Sequence, residues 1–565
     1  RRDPFPKPQC RAAPAPDDPC LLGKLNQALA IFHLGDDATA GNALVEETLA
    51  GIARLPGYLR DFHFMKATLF FRLVRQFGAH GTVGPGTMRS ELERAVVDLF
   101  AQWADPACRI ADADPRATWR IWESENHGAQ RDDACWAAAM LLDASPAHQG
   151  EIYRDGTNVA AQRRAWTAYL RAYLRERGRH GLLVEMFSPS YSAYTLSNFH
   201  NYLDFSDDAD LRRLARAALD LWWALWAQEQ VGGVHGGAKA RSYERLTAEG
   251  TPLDGLGWLY FAIGLRSGRG QAPGVAAMVT SGYQPPPVVV DLAVDVAGRG
   301  AYEVLARTPG RQRRPPAGGW YDVDPEAGGQ LRVAYATPSF VMGTTMVERR
   351  PAADWAAIAT QNRWSGVVLA GDPRARIVVV AEARGAPSSY SATWGVQSRA
   401  AQMLQAMPPP YSRNAGRLRV WFAPALRRVE RGGWIFVDAG AWVAVRPASG
   451  GRRWEGEGWM LPDQADAPIV IQAAAKADYA TLQAFQDAVL AASLSGDGGR
   501  VAFRGLGGAG RIALPAMPAR LPEIGGKPVD LDPPFVLKSP FVNQARGSPV
   551  VLVTKDGRRL TLDFR

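Results

Sequence analysis

The sequence predicts a helical N-terminal half followed by an antiparallel β half: an (α/α) toroid, an incomplete barrel of helices, ahead of a β-sandwich. Three observations predict it. Apolar residues recur at helical spacing through residues 21–265, alternate with period two through residues 291–565, and give way between them, at 266–290, to a stretch rich in Gly and Pro.

Residues 1–20 read as a Pro-rich arm with little core of its own. Its Cys10 and Cys20, and the later Cys108 and Cys135, are not spaced as CxxC, and no His stands close to the first pair, which argues against zinc. Two disulfides, Cys10–Cys20 and Cys108–Cys135, are expected, with buried free thiols as the alternative. They point to the periplasm or the outside of the cell. The start "RRDPFPKPQC" lacks the apolar run of a signal peptide, so an exported protein would be the processed form.

The helical half includes "LVEETLAGIARL", "ELERAVVDLFAQWA", "RRAWTAYLRAYLRERG" and "LRRLARAALDLWWALWAQEQ". These amphipathic runs vary in sequence and keep no repeat of roughly 34 or 40 residues, which favours a toroid over a solenoid. "RSGRGQAPG" and "SGYQPPPVV" form the linker. Beyond it, "GQLRVAYATPSFVMGTTMVE", "ARIVVVAEA", "GRLRVWFAP", "GGWIFVDAGAWVAVRP" and "GRRLTLDFR" read as strands, with one helical interruption, "DYATLQAFQDAVLAAS", at 478–493. A block of strands after a block of helices makes two domains instead of an α/β layered fold.

With 565 residues, 47% hydrophobic and 21% charged, the chain can build two large globular domains. No apolar run reaches the roughly 18 residues of a membrane span. A net charge of +9 favours acidic partners. Arg is spread through the chain without the basic clusters interleaved with aromatics of a nucleic-acid module. An anionic polysaccharide or oligosaccharide is therefore preferred to nucleic acid, and a monomer or weak oligomer is expected. The excess of Arg over Lys, with much Ala and Gly, fits a GC-rich bacterial genome.

All eight histidines lie before residue 236, which assigns imidazole chemistry to the helical half unless the scatter is chance. Three segments there gather polar groups. In "WRIWESENHGAQRDDACW" (119–136), Asn126, His127 and Gly128 read as a turn into a helix that begins near Gln130, where adjacent side chains can meet one ligand and open N–H groups attract anions. The plain alternative is an N-cap at Ser124 or Asn126 with Glu123 solvated. Glu123 can orient His127 if the turn is helical, while Trp119, Trp122 and Trp136 are either stacking platforms or core. In "EMFSPSYSAYTLSNFHNYLDFS" (185–206), a helix starting at Ser188–Pro189 aligns Tyr191, Tyr194, Asn198 and Asn201 or Tyr202 on one face, with His200 beside them. Buried tyrosines with satisfied hydroxyls are the alternative there. In "GGVHGGAKARSYE" (232–244), glycines let backbone approach a ligand, and His235, Lys239, Arg241 and Tyr243 add donors. The spacing matches neither GxxxxGK[ST] nor a strand-led GxGxxG, so nucleotide binding is disfavoured; a solvated loop with one buried His is the alternative.

"SENHG" ahead of an apolar helix, "EMFSPSYSAY" further along, and "YATPSFVMGTTM" opening the sandwich resemble the heparinase II/III-like and oligo-alginate-lyase-like polysaccharide lyases. The resemblance implies a toroid followed by an antiparallel β domain, and β-elimination of a 4-linked uronic-acid polysaccharide. It implies that Asn126 and His127 neutralise the uronate carboxylate and that Tyr191 protonates the leaving oxygen. Ser192 stands where those proteins often carry His after the Tyr, which leaves the base open among His127, His200, His235 and Tyr191. Glu123, Trp122, Tyr194, Asn198, His200, Asn201, Lys239, Arg241 and Tyr243 are the expected substrate contacts, and catalysis without a metal or cofactor is expected. Two rivals remain at this level. A glycoside hydrolase would set Glu123 or Glu125 opposite Asp132, Glu185 or Asp204, and a noncatalytic binding protein would keep the aromatics without the chemistry.

Overall fold

The computed structural model describes residues 19–54, 64–242, 252–265, 275–356, 358, 363–383, 386–387, 393–412, 416–456, 458–497 and 499–565. Its long N-terminal helices are α1 (Pro19–Leu34), α2 (Ala38–Ala53), α3 (Phe64–Phe77), α4 (Ser90–Ala107), α5 (Glu125–Asp143), α6 (Val159–Arg179), α7 (Ser192–Phe205) and α8 (Ala209–Gln228). Their starts and faces follow from the sequence. Asp37 caps α2 by accepting from the Ala40 N–H at 3.0 Å. In α4 the residues Leu92, Val96, Phe100 and Trp103 recur on one face and are buried. Among the described residues, no helix is long and apolar enough to cross a membrane.

The chain forms two compact units that interleave, instead of dividing at a single linker. The helical unit takes residues 1–176, 193–219 and 271–284; the sheet-bearing unit takes 177–192, 220–270 and 285–565. The tail of α8 explains why the second unit begins so early. Trp222, Trp223 and Trp226 are fully buried. Trp222 packs on Phe187 at 5.5 Å, and Trp226 stacks on Phe261 at 5.6 Å. These indoles are core of the sheet-bearing unit, so the helix carries the chain into it.

Within that unit a thirteen-stranded antiparallel sheet runs from Arg452–Glu455 at one edge through Trp459–Pro462, Arg417–Phe422, Arg376–Ala383, Ser365–Leu369, Phe340–Val347, Gln330–Ala336 and Tyr302–Arg307 to the C-terminal strands. A six-stranded sheet packs on it and ends at Arg427–Arg431. Ile377, Leu418, Val420 and Phe422 of the first sheet share one core with Ile435, Val437, Val443 and Val445 of the second. The other face of the second sheet, with Phe436, Trp442 and Ala444, is covered by Phe485 and Val489 of the helix Leu482–Ala491 and by a five-stranded sheet. Three layers result. Strands such as Trp434–Asp438 therefore bury side chains on both faces and read as nearly continuous apolar runs.

Candidate active site

In the helical unit, α5 begins at Glu125, five residues before the expected start near Gln130. Ser124 is the N-cap: its backbone is extended and its Oγ accepts from the His127 N–H at 3.3 Å. Gly128 continues the helix without a turn. Asn126 and His127 therefore occupy the first helical turn, where consecutive side chains diverge by about 100°. Asn126 is buried, its Oδ1 accepting from the Ser124 hydroxyl at 2.9 Å. The His127 side chain is 27% exposed, and its Nδ1 lies 3.0 Å from Glu123 Oε2. That contact fixes the imidazole and directs Nε2 away from Glu123. Arg131 lies 5.9 Å from the centroid of the half-buried Trp122 ring, while Trp119 and Trp136 are buried core residues. Cys108, the C-cap of α4, is disulfide-bonded to Cys135 of α5, with their Cα atoms 5.5 Å apart. The other expected pair, Cys10–Cys20, lies outside the described residues because Cys10 does.

The polar stripe of 185–206 is arranged differently from the expectation. The helix α7 starts at Ser192, not at Ser188–Pro189, so Tyr191 precedes it and Tyr194 is half-buried on its first turn. Asn198, His200 and Asn201 are fully buried and face the core of the helical unit. Thr68 of α3 donates to Asn198 at 3.4 Å and to Asp133 at 2.9 Å, and Arg72 donates to Asn201 at 3.1 Å and to Asp204 at 2.6 Å. His200 meets the edge of the Tyr283 ring at 5.6 Å, and burial, reinforced by the Arg72 charge, holds its pKa well below the usual imidazole value. Thr68 and Arg72 of α3 supply these bonds, while Asn198 Nδ2 and both ring nitrogens of His200 are buried without a hydrogen bond among the described residues.

The third segment belongs to the sheet-bearing unit. Gln230–Val231 and Val234–His235 form a two-residue hairpin across Gly232 and Gly233, both with positive φ. Gly236 and Gly237 serve packing, not ligand approach: a Cβ on Gly236 would stand 2.6 Å from Val341, and one on Gly237 would stand 1.8 Å from the Glu229 carboxylate. His235 is fully buried, 4.0 Å from the Phe187 ring, with Nε2 3.7 Å from Glu229 Oε2. Burial and the charges of Lys239 and Arg332 push the His235 pKa well down, while burial pushes Glu229 up to about 7. His235 is therefore neutral near neutral pH, and the two are not an ion pair. Burial also brings Lys239 down to about 7; its ammonium lies 3.4 Å from the Trp364 ring centroid.

Tyr191 lies in this same unit. The Arg241 guanidinium sits 3.9 Å from its ring centroid and donates from Nη1 to Glu185, at 3.3 Å to both carboxylate oxygens. Arg241 and Glu185 are both buried. Glu123, Phe187 and Arg241 have φ of 52°, 55° and 51°, a conformation that costs a non-glycine residue about 1 kcal/mol and gathers at functional positions. Tyr243 lies outside the described residues.

Sequence reasoning missed Glu229 and Arg332 around His235 and Trp364 beside Lys239, and it weighed Glu185 only as a hydrolase acid. Arg332 had a signal: it is a buried charge between Leu331 and Val333 in a strand whose other residues are nearly all apolar. Among the described residues, no group of three or more His, Cys, Asp or Glu is placed to hold a metal ion.

No family model matches the chain, and no curated protein matches it. Among solved structures, the crystal structure of heparinase III is similar to it with a TM-score of 0.40 and 10% identity, covering 92% of this chain and 82% of that one.

Proposed function

We propose that the protein is a polysaccharide lyase whose helices form an (α/α) toroid and which cleaves a 4-linked uronic-acid polysaccharide by β-elimination. The observation that carries the reading is the Tyr191–Arg241–Glu185 group: a phenol under a guanidinium that a buried carboxylate locks in place. Elimination removes the proton at C5, spreads negative charge onto the uronate carboxylate and expels the 4-linked oxygen. Tyr191 donates a proton to that oxygen, and the fixed positive charge of Arg241 stabilises the phenolate as it forms. Asn126 and His127 take the carboxylate. The Ser124 hydroxyl on Asn126 Oδ1 fixes which end of the amide donates, and Glu123 on His127 Nδ1 leaves Nε2 to face the substrate. His127 and Tyr191 are the bases this reading favours; His200 and His235 are fully buried.

The hydrolase reading has less support because four of its five carboxylates are already engaged. Glu123 holds His127, Glu185 holds Arg241, Asp204 holds Arg72, and Asp132 accepts from the Tyr169 hydroxyl at 3.0 Å.

The test is to incubate the protein with alginate, glucuronan, hyaluronan, chondroitin and heparosan and to follow the ultraviolet absorbance of the unsaturated uronate. New reducing ends without that absorbance would mean hydrolysis, and affinity with neither would mean a binding protein. Tyr191→Phe should lower elimination by about 10²–10⁴-fold, the usual contribution of a general acid, with substrate binding retained. Full activity in that variant would overturn the assignment.

A further inference from the structure

The free edges of the two large sheets lie together in the sheet-bearing unit. The strand Arg427–Arg431, "RRVER", ends the six-stranded sheet, and Arg452–Glu455, "RRWE", ends the thirteen-stranded one. The Arg428 guanidinium lies 4.5 Å from the Trp454 ring centroid, and the Trp454 indole donates to Glu430 at 3.4 Å. Arg452 reaches Glu430 at 2.8 Å and the Gly433 carbonyl at 2.8 Å. Residues 427–430 are all exposed, Val429 to 41%, and Trp454 is 38% exposed.

Edge strands carry charge to block pairing with other chains, which accounts for the arginines. It does not by itself account for Trp454, which Arg428 and Phe422 pack against but which stays 38% exposed beside Val429. The two strands hold five arginines, two glutamates and no lysine. Guanidinium groups grip carboxylates through two parallel N–H bonds, which a lysine ammonium cannot do.

We propose that this double edge is a second binding surface for an anionic polysaccharide, sharing no residue with the groups assigned to elimination. Trp454 presents the apolar face on which a sugar ring packs. Arg427, Arg428 and Arg453 take the carboxylates, Arg452 being held by Glu430 and the Gly433 carbonyl, and Glu430 and Glu455 accept from sugar hydroxyls. The same two glutamates repel a DNA backbone, whose phosphodiesters offer them no donor. Only the choice of uronate as the charged sugar rests on the lyase reading.

The experiment is affinity electrophoresis through gels containing alginate or heparosan, using the full chain and three variants: Trp454→Ala, Trp454→Phe, and Arg428→Ala with Arg453→Ala. The native protein should be retarded. Trp454→Ala and the double arginine variant should each bind about tenfold more weakly, Trp454→Phe should retain most of the affinity, and all should eliminate a short uronate oligosaccharide at the native rate. Native migration unaffected by either polymer, or equal retardation of native protein and both weakened variants, would overturn the proposal. So would displacement of the polyuronate by DNA at equal charge concentration, which would make the surface a nucleic-acid site. Retardation that depends on Trp454 without any elimination would leave this surface standing and remove the lyase reading instead.

Discussion

Asp133 offers a measurement that tests the buried network of the helical unit directly. The residue is fully buried on α5 and accepts from the Thr68 hydroxyl at 2.9 Å. Burial pushes its carboxyl up to about 8 against the partial relief of hydrogen bonds from Thr68, Asn201 and Tyr202. In the unfolded chain the same group titrates near 3.9. Between those two values the folded state holds a proton that the unfolded state has released, so unfolding becomes easier as pH rises, and the effect levels off above about pH 8. Asp133→Asn keeps the shape and abolishes the titration. Each pH unit in the window is worth about 1.4 kcal/mol, and with rounding near the folded value the step from about pH 6 to 8 comes to about 2 kcal/mol. Urea unfolding followed by far-ultraviolet circular dichroism should therefore show the stability of Asp133→Asn relative to the native protein improving by about that amount over the interval. A difference between variant and native protein that stays constant with pH would mean that Asp133 is ionised in the fold, and the reasoning about its burial would be refuted.

Other perturbations have equally definite outcomes. Arg241→Gln should cost about 3–5 kcal/mol in urea unfolding because it strands the buried Glu185 charge, whereas Arg241→Gln combined with Glu185→Gln should recover much of that loss and still lack elimination activity. Glu123→Gln removes a contact between partly exposed groups, so stability should change by less than about 1 kcal/mol while turnover falls. Ser124→Ala should cost about 1 kcal/mol through the lost N-cap, and it should also raise KM because the Asn126 amide loses the bond that orients it. Replacing Cys108 and Cys135 with Ser opens a loop spanning 27 residues and should lower stability by about 3 kcal/mol, read as a drop in thermal midpoint that reductant reproduces in the native protein.

Much of the fold was legible because it follows from periodicity. The quoted helical runs all fall within α2, α4, α6 and α8 or extend them by a residue or two, and the quoted alternating runs are all strands. Even the helix inside the β half was legible in the run at 478–493, and in the structure Thr481 caps it at Leu482–Ala491. What periodicity does not carry is partnership. The tail of α8 has the same helical spacing as the rest of that helix, yet its tryptophans pack on Phe187 and Phe261, far apart in sequence, and move the unit boundary to residue 220. Gly128 suggests a turn and a helix start near Gln130, yet α5 begins at Glu125. The Ser124 cap, which the sequence also offered, decides the matter, since one hydroxyl bonded to an otherwise unpaired helix N–H outweighs the modest penalty of Gly128 inside the helix.

The candidate site was less legible, for a reason visible in Asn198, His200, Asn201 and Tyr191. All four come from one segment and looked like one polar stripe. The first three are bonded to a helix more than a hundred positions earlier, or packed on Tyr283, and all are fully buried. Tyr191 precedes the helix, is only half-buried, and is met by a guanidinium that a carboxylate only six residues before it holds in place. In sequence the two cases are indistinguishable, because a hydrogen-bonding side chain does not declare whether its partner is another residue or a substrate. The accompanying charges separate them. The core network pairs Arg72 with Asp204 and keeps Asp133 largely protonated, so it carries little uncompensated charge. The Tyr191 group places a fixed cation against a group that can lose a proton, an arrangement that stabilises a charge the resting protein does not carry.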